Sequence, residues 1–162
     1  MLVCIRTDQA IIMTTPHVPA THVDLLEKPL FAHLATVRPD GAPQSSVMWF
    51  GWDGSRVKFT HTRTRQKFRN LAHDARVAFS IRDETNPYRF LEVRGEVESI
   101  EPDPGGAFYV TLQRRYGVEF PVLDADVRVV ITVRPTKYVA VERGMTEKEA
   151  AAFKKTMEQR SK

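Results

Sequence analysis

Residues 30–62 read LFAHLATVRPDGAPQSSVMWFGWDGSRVKFTHT. Three apolar-rich runs, 30–37, 43–52 and 56–62, stand between two turn signals. In Arg38-Pro39-Asp40-Gly41 the proline fixes φ, and the glycine tolerates the positive φ that closes a tight turn. Asp53-Gly54 is a pair favoured in two-residue hairpin loops. Phe31, Ala32, Leu34, Ala35 and Val37 leave the first run apolar almost throughout, as in a strand covered on both faces. The stretch reads as three successive antiparallel strands.

The flanking segments extend that pattern. Residues 20–28 read as a short helix: Thr21 can cap it, Asp24 favours its positive end, Leu25 and Leu26 form an apolar face, and Pro29 stops it. Phe68, Leu71 and Ala72 fall at helical spacing within 64–73. Residues 75–81 read as a strand. In 88–100, Phe90, Glu92, Arg94, Glu96 and Glu98 alternate with Leu91, Val93, Gly95 and Val97, a long strand with one wet face. Gly95 there marks a bulge or a close approach. Residues 104–116 read as a helix burying Phe108, Leu112 and Tyr116, 117–126 as a loop, and 127–133 and 138–142 as two more strands.

Six or seven strands with short connections and a few helices predict a mainly β (α+β) fold, a small antiparallel barrel with helices packed outside. The barrel domain is expected over 20–142. Residues 1–19 read as a flexible arm, in which Met13 is as good a translation start as Met1. Residues 143–162 read as a polar terminal helix. Its weak apolar stripe of Ala150, Ala151, Phe153, Lys154 and Met157 leaves open whether it packs on the barrel, on a partner or nowhere.

The 162 residues, 42% apolar and 27% charged, suit one globular domain and exclude wholesale disorder. No run has the roughly 18 apolar residues of a membrane span. The single cysteine, Cys4, excludes an intrachain disulfide and a cysteine metal cage, and a cytoplasmic location fits best. His17, His22, His33, His61 and His73 have no metal-ligand spacing, so no metal is expected.

Charge is distributed unevenly. The net +4 hides a segment, 55–76, with seven Lys/Arg against one Asp. Residues 82–103 carry three Arg against seven acids. A basic island in a near-balanced domain points to a small anionic ligand more than to a nucleic-acid tract. Thr60-His61-Thr62 ends a strand, and Arg65 and Lys67 open the next helix. A helix start offers free N–H groups and a positive dipole end, which with Arg and Lys beside it makes a phosphate site. The plain alternative is a solvated charged helix face. Trp49, Phe50, Trp52, Phe59 and Tyr88 could stack bases beside the basic residues, but they lie within strand patterns and are as easily core. Ser45 and Ser46 lack a nucleophile-elbow setting, no carboxylate pair stands out, and the glycines form no nucleotide-binding pattern. A barrel with a phosphate grip and no self-sufficient catalytic group leaves the chemistry to a cofactor.

At this point a family resemblance is visible. Leu34-Ala35-Thr36 with Asp40-Gly41-Ala42-Pro43, followed by Lys67-Phe68-Arg69-Asn70-Leu71-Ala72-His73-Asp74-Ala75-Arg76, is similar to the pyridoxamine 5′-phosphate oxidase-like family of flavin-binding split β-barrels. The likeness is greatest to its branch that uses the deazaflavin coenzyme F420. It covers about 24–142 and departs at Ala75, where proline is usual. The resemblance implies a homodimer with two cofactor grooves at the subunit interface. It implies that Arg65 and Lys67, with Asn70 nearby, hold the cofactor phosphate. The ring system would lie along the second strand (Gln44, Ser46, Val47, Met48, Trp49) and against Thr60 and His61. Tyr88 of the second subunit would close the groove. Arg63 and Arg69 would extend the grip toward an F420 tail. The expected activity is hydride transfer from reduced F420 to a small conjugated organic acceptor, with Ser46 able to stabilise developing charge and His61 the only nearby group titrating near neutrality. No catalytic side chain is assigned. An FMN-dependent oxidase or reductase of the same fold, and a non-enzymatic cofactor-binding barrel, remain the alternatives. No nucleic-acid or membrane partner is expected.

Overall fold

Both turns of the opening stretch are hairpin turns. Gly41 and Gly54 have φ of 83° and 95°, which a side chain would strain. The Gly41 N–H donates to the Arg38 carbonyl at 2.8 Å. The computed structural model describes residues 3–7, 10–15 and 17–160. Its strands are β1 (Val3–Thr7), β2 (Ala10–Thr15), β3 (Ala32–Val37), β4 (Pro43–Met48), β5 (Phe50–Trp52), β6 (Val57–Thr62), β7 (Arg76–Arg82), β8 (Phe90–Pro102) and β9 (Arg128–Glu142). Its α-helices are α1 (Asp24–Glu27), α2 (Gln66–His73), α3 (Ala107–Tyr116) and α4 (Glu147–Arg160).

All pairings are antiparallel, and they run in a ring. β4 pairs with β3, β3 with β7, β7 with β8, β8 with β9, β9 with β6 and β6 with β5. β5 follows β4 past Trp49, so the chain itself bridges the two ends of the sheet, while β4 and β6 are not paired with each other and the barrel is split there. The interior is filled by side chains such as Leu34, Phe50, Phe59, Phe79, Leu91 and Ile131, all 1% exposed or less. Phe59 meets Phe79 edge-on at 5.3 Å between ring centroids. No helix among the described residues is long and apolar enough to cross a membrane.

The structure corrects four sequence expectations. The single strand expected over 43–52 is broken at Trp49. The Phe50 N–H donates to the Tyr116 hydroxyl at 3.1 Å, and that hydroxyl donates to the Leu30 carbonyl at 2.5 Å. A side chain of α3 thus takes the place of a ladder partner. The two strands expected over 127–133 and 138–142 are one, β9. Pro135 lies between the end of the β6 ladder and the start of the β2 ladder, where the β8 register also shifts. Its missing N–H falls at a break, so the strand runs through. The arm expected over 1–19 contains the hairpin β1–β2, which adds to β9 through Ile11–Thr15; Met1 and Pro16 lie outside the described residues. The helix expected over 20–28 is a 3₁₀ turn, Ala20–His22, followed by α1. Thr21 does not cap it, since its hydroxyl bonds His22 Nδ1 at 2.9 Å.

Gly95 serves both roles expected of it. The register shifts beside it, and a Cβ there would lie 2.6 Å from the Arg134 carbonyl oxygen.

Candidate cofactor pocket

A cleft of about 530 Å³ opens where β4, β6, the start of α2 and the α3–β9 connection converge. The Arg65-Gln66-Lys67 turn forms one part of its lining. Arg65 is the N-cap of α2, with no side chain capping the helix start, so the first N–H groups remain available to a ligand. Lys67 is only 4% exposed, yet no carboxylate pairs with it among the described residues. Its ammonium lies 2.8 Å from Met48 Sδ, a weak acceptor. Burial, then the Arg65 charge, pushes its pKa down to about 8. A buried ammonium without an anion is costly, and an incoming anion would relieve that cost.

Beside it, His61 is also held away from its charged form. Burial, and then the charges of Lys67, Arg65 and Arg128, take its pKa down to about 4. At neutral pH it is an uncharged imidazole whose buried Nε2 has no partner. The buried Ser46 hydroxyl, across the same pocket lining, is unpartnered too. Two idle polar atoms beside an unpaired cation are what a bound anionic, hydrogen-bonding group would satisfy. The residues present therefore fit a phosphate-bearing cofactor.

Nine of the eleven residues singled out from the sequence line this pocket: Gln44, Ser46, Val47, Met48, Trp49, Thr60, His61, Arg65 and Lys67. Alternation along β4 sends Gln44, Ser46 and Met48 inward, while Val47 is 57% exposed. The other two lie elsewhere. Asn70 is fully buried behind the lining, donating to Gln44 Oε1 at 2.7 Å and Thr36 Oγ1 at 2.9 Å and accepting from Gln66 Nε2 at 2.8 Å. It positions the lining and does not touch the cleft. Tyr88 is exposed, with the Arg143 guanidinium 3.7 Å from its ring centroid, and does not line this chain's own pocket. Arg63 and Arg69 are exposed and outside the lining; Arg69 is bonded to Gln66 Oε1.

Sequence reasoning missed an aromatic wall. Trp49 lies nearly parallel to Tyr109, Tyr116 and Phe120, with centroids 6.0, 5.0 and 6.3 Å away. Arg128 covers the Tyr109 ring at 3.6 Å, donates to Thr60 Oγ1 at 3.0 Å and pairs with Asp124 at 2.7 Å. The signal available was the lone arginine opening the β-branched run Val127–Val133. Among the described residues no group of three or more His, Cys, Asp or Glu is placed to hold a metal ion.

The model of the pyridoxamine 5′-phosphate oxidase family matches residues 18–142. The chain belongs to that family. The match spans the whole ring β3–β9 and every pocket residue named above. Among solved structures, the chain is 56% identical to a protein titled F420 reductase, with a TM-score of 0.72, covering 75% of this chain and 98% of that one. A pyridoxamine 5′-phosphate oxidase-type structure from Listeria innocua shares the fold at 22% identity, with a TM-score of 0.60 and 74% and 94% coverage. An FAD-binding protein from Mesorhizobium loti shares it at 16% identity, with a TM-score of 0.60 and 82% and 99% coverage. No curated protein matches the chain.

Proposed function

We propose that this protein is an oxidoreductase that binds the deazaflavin coenzyme F420 in the pocket and passes a hydride to a small conjugated organic acceptor. The carrying observation is Lys67, buried at the first turn of α2 without a carboxylate. The 56% identity to a protein named F420 reductase favours the deazaflavin over FMN.

Arg65, Lys67 and the free N–H groups of α2 bind the phosphate; the arginine can donate two parallel bonds and the lysine acts as a point charge. When bound and reduced, the cofactor supplies the hydride. Ser46 Oγ and His61 Nε2, both buried without a partner, would hydrogen-bond its ring system. His61 stays neutral at pH 7, so it orients the ring without adding charge and is not a proton donor. Asn70 keeps the Gln44 amide turned toward the lining. The aromatic wall excludes water and holds a flat acceptor at reacting distance. A second copy of the chain completes the groove in a homodimer, with Tyr88 beside the partner's cleft. Arg63 and Arg69 extend the cationic surface toward an anionic tail. A chain with one cysteine works in a reducing, cytoplasmic setting.

The test is a fluorescence titration of purified protein with F420 and, separately, FMN, alongside Arg65→Ala and Lys67→Ala. Tight F420 binding that both variants lose, with weak FMN binding, is the expected result. Preference for FMN would make it a flavin enzyme, and binding of neither would leave a barrel without a redox role.

A further inference from the structure

The α3–β9 connection, residues 117–127, is exposed at its tip, yet it is pinned at several points. Leu123 is 88% exposed and Phe120 52%. Beneath them Gln113, only 3% exposed, spends its whole amide on one loop residue: Nε2 donates to the Phe120 carbonyl at 3.1 Å, and Oε1 accepts from the Phe120 N–H. Val122 rests on Gly106, where a Cβ would lie 2.6 Å from Val122 Cγ1. The Val127 carbonyl accepts from the Arg63 N–H at 2.9 Å. The loop thus holds Phe120 against Trp49 and Asp124 against Arg128.

That pairing sets the charge of the wall. Arg128 is half of a stacked surface with Tyr109, and Asp124 cancels its charge at 2.7 Å. The contrast with Lys67, whose charge is uncancelled, divides the pocket chemically. One part attracts an anion; the other offers flat rings and a guanidinium already paired with a carboxylate.

We propose that Asp124 is a specificity-determining residue: by neutralising Arg128 it makes the Trp49–Tyr109–Phe120 wall a subsite for neutral, flat, conjugated acceptors and turns anionic ones away. This deepens the function proposed above and rests on it only for the acceptor's fate, not for its binding.

The test uses 1,4-naphthoquinone and 1,4-naphthoquinone-2-sulfonate as probes of equal ring shape and different charge. Binding is read from quenching of tryptophan emission, with no cofactor and no turnover, and with inorganic phosphate present throughout to occupy the Lys67 part of the pocket. Wild type should bind the neutral quinone in preference, and Trp49→Phe should remove most of the quenching. Asp124→Asn should shift the ratio of the two dissociation constants toward the sulfonate by about fivefold to tenfold, the effect of one half-buried charge. The double variant Asp124→Asn/Arg128→Met, with the charge removed, should return the ratio to near the wild-type value, which separates charge from loop damage. An unchanged ratio in Asp124→Asn, or quenching that survives Trp49→Phe, would overturn the proposal. If the neutral quinone binds as described but reduced F420 or FMN on the protein does not reduce it, the subsite stands and the proposed function falls.

Discussion

Asn70 Nδ2 lies 2.7 Å from Gln44 Oε1, so a buried helix residue fixes the amide of a strand residue that lines the pocket. The same Nδ2 donates to Thr36 Oγ1 at 2.9 Å, and Asn70 Oδ1 accepts from Gln66 Nε2 at 2.8 Å. α2, β3 and β4 are tied together at one side chain. Asn70→Ala should lower stability by about 1–3 kcal/mol, because buried partners are left unmatched. It should also weaken cofactor binding, although Asn70 never reaches the cleft. Urea denaturation beside a cofactor titration at a temperature where the variant is fully folded separates the two effects. Reduced stability with unaltered affinity would show that Gln44 does not need its tether.

Lys67 gives the pocket a pH dependence of known sign. Burial and Arg65 hold its pKa at about 8 in the free protein, and a bound anion raises it. Below pH 8 the site is charged and binding is flat. Above it, binding must take up a proton, so the dissociation constant for a phosphate-bearing ligand should rise by about tenfold per pH unit until the bound-state pKa is reached. Lys67→Met should bind weakly and without this slope. A titration series between pH 7 and pH 10 checks both, and a flat profile in the native protein would remove Lys67 from the grip.

Much of the barrel was legible because its signals are local. Pro39 and Gly41, and Asp53 with Gly54, announce turns by backbone geometry alone, and the basic start of α2 is a contiguous run. The merging of the last two strands into β9 was not legible, because Pro135 reads as a breaker unless it is known to face a gap in the ladders. The break at Trp49 depends on the Tyr116 hydroxyl, 66 residues away in sequence. The aromatic wall depends on where the α3–β9 connection lies, and Phe120 and Asp124 in that loop have no period to mark them. The basic start of α2 could be read from sequence, whereas the aromatic wall required the fold.

His61 should stay neutral far below the usual histidine range. Burial and three neighbouring cations hold its pKa at about 4, against 6.5 for an unperturbed histidine. The unfolded chain therefore takes up a proton first on acidification. The contribution of His61 to stability is complete above pH 6.5 and is lost progressively as pH falls from 6.5 toward 4. The His61 ring signals in an NMR titration should not move between pH 8 and pH 5.5. His61→Gln should flatten the fall in stability over that window. A midpoint near 6.5 for His61 would mean that the ring is solvated and its Nε2 is not held ready for a ligand.

Gly95 carries the sharpest steric prediction. A methyl group there would lie 2.6 Å from the Arg134 carbonyl oxygen and 2.9 Å from Val133 Cγ1. The first is backbone of the neighbouring strand and cannot rotate away. Gly95 also sits where the β8–β9 register shifts opposite Pro135, so relief would require moving the longest pairing in the barrel. Gly95→Ala should destabilise the fold by about 1–3 kcal/mol, the usual cost of overpacking, despite alanine's lower entropic cost in the folded chain. Gly41→Ala is the comparison: its φ of 83° is strained for alanine, but no atom lies within 4 Å of the new methyl. Its loss should therefore be the smaller of the two, about 1 kcal/mol. Chemical denaturation of both variants, with equal slopes required, decides the order. A Gly95→Ala variant as stable as the native protein would mean that the two strands are not in contact at the bulge.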